Sequence, residues 1–381
     1  MKLKRVLTSV AVILGILVLV QGVHAAETYS LVKQWGSNGS ANGQFYYANG
    51  IAVDSQGTTY VADMQNHRIQ KFNASCVTAW GTFGSANGQF YYPYGVALDT
   101  TGKVYVADTS NQRIQKFTSD GKYLKQWGSN GSANGQFFYP WGVAVDTAGY
   151  VYVVDSGNNR IQKFTSEGTY LKQWGSTGFD NSQFRYPRGI AVDTNGNVFV
   201  ADTDNNRIQV FNSEGTFLMK WGFFGTETGQ FKWPAAVAPD SKGNVFVADT
   251  YNHRVQKFTS SGITVWGSPG SGDGQFNTPG GIAVNSSGYV YVSDTNNKRI
   301  QVFAILPPPI PLPGFSNPPT DPDHDGIYED LNSNGRLDFA DVVLYFNQMT
   351  WIAANEPVSA FDLNGNWRID FADIVALFNE I

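Results

Sequence analysis

Gly95-Val96-Ala97-Leu98-Asp99, Val104-Tyr105-Val106-Ala107-Asp108 and Asn111-Gln112-Arg113-Ile114-Gln115-Lys116-Phe117, closed by Trp127-Gly128, make one unit of a repeat that fills most of the chain. The Arg of the unit recurs at Arg68, Arg113, Arg160, Arg207, Arg254 and Arg299, in steps of 45 or 47 residues. Its Trp recurs with the same step at Trp35, Trp80, Trp127, Trp174, Trp221 and Trp266. Periods of this length mark solenoids, propellers or arrays. Within a unit the apolar residues alternate with a period of two. Each short β-branched or aromatic run is bounded by Gly, Asn, Asp or Ser, which is the pattern of strands and turns. Four such runs in each of six units predict an all-β six-bladed propeller, an architecture with only short sheet edges. The sixth unit stops at Phe303 without its Trp-Gly strand, while Leu31-Val32-Lys33-Gln34-Trp35-Gly36 has no unit ahead of it. Residues 29–36 are therefore expected to complete the last blade and lock the ring.

These residues resemble the NHL repeat, whose units carry a Pro-x-Gly-Ile-Ala-Val-Asp strand, a Val-Ala-Asp strand and an Asn-x-Arg-Ile corner. The resemblance spans about residues 29–303 and rests on six copies that agree in type and order. The fifth copy departs from it, with Ala236 in place of Gly and Pro239 just before Asp240.

Ahead of the propeller, Lys2, Lys4 and Arg5 precede an apolar run from Val6 to Val20; Gln21 to Ala26 then ends in small residues, with Val23-His24-Ala25 as an approximate cleavage signal. This is the pattern of a secretory signal peptide over residues 1–26. The run falls short of the ~20 apolar residues a membrane span needs. The mature chain is thus expected to be secreted, extracellular or on the cell surface, with no transmembrane segment. Cys76 is the only cysteine. It reads as a small apolar filler near the outer strand of the first blade, with pairing between chains as the alternative. The net charge of −5 is uneven: residues 321–381 carry −10, which leaves the propeller without its signal peptide near +2. Such a balance gives no electrostatic footprint for nucleic acid.

Residues 27–303 are the expected propeller. Residues 304–320 hold seven prolines and read as a semi-rigid spacer. Residues 321–381 contain a second duplication, in which Arg336-Leu337-Asp338-Phe339-Ala340-Asp341 returns 32 residues later as Arg368-Ile369-Asp370-Phe371-Ala372-Asp373. A helix is expected after each copy, with Val342, Val343 and Phe346, and likewise Ile374, Val375 and Phe378, on one face. Calcium takes six to eight oxygens, and a twelve-residue loop supplies them from positions 1, 3, 5, 7, 9 and 12. Asp330, Asn332, Asn334, Arg336 (through its carbonyl), Asp338 and Asp341 fall on those positions. Asp362, Asn364, Asn366, Arg368 (again by its carbonyl), Asp370 and Asp373 repeat them. The pair resembles a dockerin of type I, an EF-hand-like calcium module that docks onto a cohesin partner. Trp367 stands where the loop's turn expects Gly, and Asp321-Pro322-Asp323-His324-Asp325-Gly326 looks like half of a third loop. In dockerins the residues just before each helix help choose the partner. The matching pairs here are Phe339-Ala340 and Phe371-Ala372, which suit either a docking face or mutual packing.

In the propeller, Asp63, Asp108, Asp155, Asp202, Asp249 and Asp294 each stand five residues before the repeated Arg. They read either as a ring of ligands or as fasteners of each blade's own corner, and equal service in six copies favours the second. Function is expected where the copies differ. Just before the first-strand Gly stand Asn49, Tyr94, Trp141, Arg188, Ala235 and Gly280. Tyr94, Trp141 and Arg188 form an aromatic and guanidinium patch suited to binding a protein, peptide or glycan, since such residues dominate binding hot spots; filling the top of the channel is the bland alternative. His67 and His253 share one variable polar slot with Gln112, Asn159, Asn206 and Lys298, expected to be solvated. No catalytic residue is assigned. The leading expectation is a secreted, non-catalytic binding protein whose calcium-dependent tail attaches it to a cohesin-like protein or cell-surface component. The alternatives are an exported lyase or hydrolase acting on polysaccharide or peptide, and a purely structural surface component.

Overall fold

A computed structural model describes residues 28–74 and 76–305, then 312, 313, 319, 328, 330, 331, 333, 339–355, 361, 369, 373–375 and 377. The expected signal peptide, most of the Pro-rich spacer and most of both calcium loops lie outside these residues. The chain divides into two compact units, one built on Gln34–Val302 and the other on Phe303–Ile381 together with Thr28–Lys33.

Six four-stranded antiparallel sheets make the propeller. In the second blade, Pro93–Leu98 lies innermost, followed by Val104–Asp108, Arg113–Phe117 and, outermost, Tyr123–Trp127. The last blade is composite. Pro279–Val284, Val290–Asp294 and Arg299–Ala304 come from the end of the repeat region, and Ser30–Trp35 adds the outer strand, as expected for a locked ring. The side chain of Gln34 ties the lock: its Nε2 donates to Asp273 at 2.7 Å and its Oε1 accepts from Arg299 at 3.0 Å.

Second strands such as Val104–Asp108 are buried at every residue, because adjacent blades cover both of their faces. Phe45, Phe90, Phe137, Phe184, Phe231 and Phe276 fill the same place in each unit, with no exposed surface. They explain the Gly that follows each Trp. Gly128 has φ +102°, and a Cβ there would lie 2.5 Å from the ring of Phe137. Glycine is needed both for that backbone and for that approach.

The Asp–Arg corners do more than fasten their own blade. In the third blade, Asp155 Oδ1 accepts from the backbone N–H of Phe138 at 2.8 Å. Its Oδ2 accepts from Arg160 Nε at 2.7 Å, Asn158 Nδ2 at 2.9 Å and Gln162 Nε2 at 3.0 Å. Arg160 Nη2 then donates to the carbonyls of Ala133 and Gln136, and Asn158 to that of Gly131. All those carbonyls belong to the crossover entering from the preceding blade, so each corner clamps the joint between two blades. The pattern holds in all six, with Arg Nε to Asp Oδ2 distances of 2.6–2.8 Å.

Two local expectations fail. Cys76 is exposed rather than packed, because it lies in the turn before the outer strand, where its N–H donates to Asn73 Oδ1 at 2.9 Å. In the second unit the helix Phe339–Asn355 does form. It buries Val342, Tyr345 and Ile352, while Val343 and Phe346 face outward at 44% and 58% exposure. Tyr345 is part of the reason, since its hydroxyl reaches inward to donate to the carbonyl of Phe361. Val375, one period after Val343, is exposed as well. Among the described residues no helix is long and apolar enough to cross a membrane.

Asp155→Ala would strand the buried Arg160 together with three other donors. The loss expected from breaking a buried pair is about 3–5 kcal/mol. Guanidinium unfolding should show a lower midpoint, and an unchanged midpoint would mean that the corner does not hold the joint.

Candidate functional site

The innermost strands do not run straight into the channel mouth. Their pairing with the second strands slips by one residue between Ala48 and Ile51, Pro93 and Val96, Pro140 and Val143, Pro234 and Ala236, and Pro279 and Gly281. Each slip is a β-bulge, a device that re-aims a side chain. The bulges carry the variable positions Asn49, Tyr94, Trp141, Ala235 and Gly280. In the fourth blade the inner strand begins only at Ile190, and Arg188 is held by its N–H to the carbonyl of Ala201. Close approach around the channel sets the neighbouring glycines: a Cβ on Gly95 would lie 2.5 Å from the carbonyl oxygen of Trp141, and one on Gly142 2.3 Å from that of Arg188.

The structure brings Tyr94, Trp141 and Arg188 together. Tyr94 and Trp141 have ring centroids 3.8 Å apart, and the Arg188 guanidinium carbon lies 4.4 Å from the Trp141 ring. The stack continues to Trp233, 4.9 Å from the guanidinium, and on to Tyr251, whose ring is 5.2 Å from Trp233. Charge over an aromatic face is attractive, and more so where water is excluded. Burial pulls the Arg188 pKa below its ordinary value, opposed by the nearby phenols and Asp204. Burial pushes the Tyr94 phenol up to about 12, against the pull of Arg188, and raises Tyr47 for the same reason. At neutral pH these phenols are therefore hydrogen-bond donors rather than bases. The open space here is small, about 70 Å3 along the channel and about 100 Å3 at the mouth. Pockets that engulf a small molecule start at ~300 Å3. A ligand would lie across this face, with only a small group entering.

Around the mouth runs an aromatic rim that the repeat pattern hid. Tyr92, Tyr139, Tyr186, Trp233 and Thr278 each precede the Pro of an inner strand and hold left-handed backbone, with φ between 43° and 57°. Such conformations cost about 1–2 kcal/mol for a residue with a Cβ, so something must secure them. The polar slot does so. His67 Nδ1, Gln112 Oε1, Asn159 Oδ1, Asn206 Oδ1 and His253 Nδ1 accept the N–H of these residues in turn, at 2.6–3.2 Å. The slot is thus a clamp between blades, not a solvated position. His67 also packs against Phe83, Tyr91 and Tyr92, and burial lowers its pKa. The seam between the sixth and first blades differs: Lys298 has no acceptor to offer and sits over the rings of Tyr46 and Tyr47, 5.9 and 5.2 Å from their centroids. With Tyr46, Tyr139 and Tyr186 at 45–54% exposure, the rim presents rings to solvent. Its signal in the sequence was the Phe-Tyr-Tyr-Pro style step between units.

Of the expected calcium ligands, Asp330, Asp341 and Asp373 are described, and all three are fully buried. Ser333, with φ 59°, donates its N–H to the Asp330 carbonyl and turns the chain at the start of the first loop. A carboxylate buried at such a turn, as that of Asp330 is, has the chemistry a hard cation takes. Among the described residues no cluster of three or more His, Cys, Asp or Glu forms a metal site. Asn332, Asn334, Arg336, Asp338, Asp362, Asn364, Asn366, Arg368 and Asp370 lie outside the described residues, as do Phe371, Ala372 and the side chains of Phe339 and Ala340.

A family model of the NHL repeat matches residues 45–72, 90–117, 137–164, 184–211, 231–258 and 276–303. Among curated proteins none matches the chain. Among solved structures, a structural-genomics protein of unknown function from Bacteroides thetaiotaomicron VPI-5482 is similar at a TM-score of 0.57 and 18% identity, over 72% of this chain and 75% of that one. A streptogramin B lyase is similar at 0.53 and 14%, over 74% and 99%. Virginiamycin B lyase from Staphylococcus aureus follows at 0.50 and 15%, over 73% and 100%. At these identities the likeness is one of fold.

Because the folded state keeps the Tyr94 proton up to about 12 while a free phenol loses it near 10, stability falls as pH rises through that interval. At pH 11 the phenolate absorbance at 295 nm should be the same for the native protein and for Tyr94→Phe. A smaller signal in the variant would mean that Tyr94 is not buried in the stack.

Proposed function

The chain carries six NHL repeats closed into one propeller, and from that premise we propose that it is an exported binding protein with a calcium-dependent docking tail. One observation carries the propeller half of this reading. Five of six joints are built alike, yet the equivalent positions at the mouth hold Asn49, Tyr94, Trp141, Arg188, Ala235 and Gly280, different in every blade. Structure needs only the Gly (Ala236 in the fifth blade) beside them, so the variation is free to serve recognition. The mouth is made of rings and donors, which suit holding a protein, peptide or glycan.

The tail half rests on the spacing of two twelve-residue loops and on the burial of Asp330, Asp341 and Asp373. Calcium bound there would contribute folding free energy to the module. Asp330, Asp341 and their counterparts would supply the charge, and Asn332, Asn334 and the Arg336 carbonyl the neutral oxygens. Val343, Phe346 and Val375, apolar and exposed, are suited to a protein partner of the cohesin kind. Export rests on the residue pattern of positions 1–26.

The test is capture of partners from a cell-envelope extract by the full chain and by the Asp330→Ala/Asp362→Ala double variant, each with calcium and with chelator. Capture by the full chain only with calcium, lost in the double variant, is the expected result. Equal capture under all four conditions would remove the tail from docking. In parallel, chelation should reduce helical ellipticity at 222 nm in the full chain and not in the double variant.

A further inference from the structure

The pocket at the channel mouth has an unusual lining. It is formed by Arg188 between two indoles, the phenols of Tyr47 and Tyr251, and the amides of Asn49 and Asn296, and no carboxylate is among its lining residues. Each of these groups can donate a hydrogen bond, and one of them is permanently cationic. Arg188 engages rings through its guanidinium carbon, and Asp204, whose charge acts on it, does not line the pocket. Stacking occupies the faces of a guanidinium, whose N–H donors lie in its plane and match a carboxylate two at a time. The space of about 100 Å3 is well below the ~300 Å3 at which pockets engulf a small molecule. That suffices for a carboxylate group and not for the body of a ligand.

What surrounds the pocket indicates what carries the carboxylate. The rim offers Tyr46, Tyr92, Tyr139 and Tyr186 as exposed or half-exposed rings set one blade apart. Flat rings that combine an apolar face with a polar hydroxyl complement the C–H faces and hydroxyls of pyranose sugars. The propeller's charge near +2 opposes no anion. We propose that the mouth pocket takes the carboxylate of a uronate residue within an acidic polysaccharide, whose neighbouring sugars lie across the aromatic rim. This deepens the binding-face reading above and rests on it. Arg188 pairs with the carboxylate, Asn49 and Tyr251 complete its hydrogen bonds, and Trp141 and Trp233 hold the guanidinium in place.

The experiment is calorimetric titration of the full chain with a galacturonate hexamer, with its methyl ester and with a neutral galactose hexamer, at fixed ionic strength. Arg188→Gln and Tyr139→Ala variants, checked by thermal unfolding, are titrated alongside. A charge-assisted pair is worth about tenfold or more in affinity. The uronate hexamer should therefore bind at least about tenfold more tightly than its ester, with the difference lost in Arg188→Gln and kept in Tyr139→Ala. The ester comparison changes only the ligand, so it stands even if a variant misfolds. Equal binding of acid, ester and neutral hexamer would overturn the carboxylate site while leaving the face as a glycan-binding surface. Binding of an acidic peptide's terminal carboxylate through Arg188, with no sugar bound, would overturn the polysaccharide. Failure of sugars and peptides alike would overturn the binding face itself.

Discussion

A carboxylate taken wholly out of water must find several donors, and in this chain six of them do so at the joints between blades. Burial pushes Asp108, Asp155 and Asp202 above the usual carboxylate range, despite the pull of Arg113, Arg160 and Arg207. The corner is therefore no large surplus of attraction, in keeping with the cost of desolvating ion pairs. What it contributes is geometry. With a guanidinium, two amides and a backbone N–H meeting on one carboxylate, the incoming crossover has one place to go. Blade spacing follows from that, and so does the width of the channel.

The site inherits its form from this constraint. Because the crossovers are pinned, the inner strands approach so closely that Gly95 and Gly142 abut the carbonyls of the next blade. The bulges then turn Tyr94 and Trp141 toward the axis, where they meet Arg188 in one stack. The residues proposed for recognition thus sit beside the pinned crossovers, although they are the least uniform part of the ring in sequence.

The propeller was legible because its signals are repeated: period-two strands, Trp-Gly closures and a missing last strand of the sixth unit balanced by an extra strand ahead of the first. Tyr94, Trp141 and Arg188 were legible as the odd residues in an otherwise constant row. Trp233 and the rim were not, because their importance depends on left-handed backbone before Pro, which no periodicity reveals. His67 and His253 misled for a related reason. A slot that alternates among His, Gln and Asn looks like indifferent surface until the acceptor common to those side chains is seen bonding the next blade's N–H. Val342, Val343 and Phe346 were grouped on one face by apolarity alone, whereas Val342 falls in the buried stripe with Tyr345 and the other two do not.

Gln34 and Arg299 meet across 265 residues of sequence. Closing a flexible loop of that length would cost about 5 kcal/mol in chain entropy. The blades between them form locally, each from consecutive strands, so the ends of the propeller arrive side by side with most of that cost already met. The last contact to form is then a short-range event in space. During synthesis, however, the first strand must wait through the making of five blades and two strands of the sixth before its partner exists. Its unpaired edge is open to neighbouring chains for all of that time. For a protein of this architecture, the order of translation sets the period of greatest risk of misassembly.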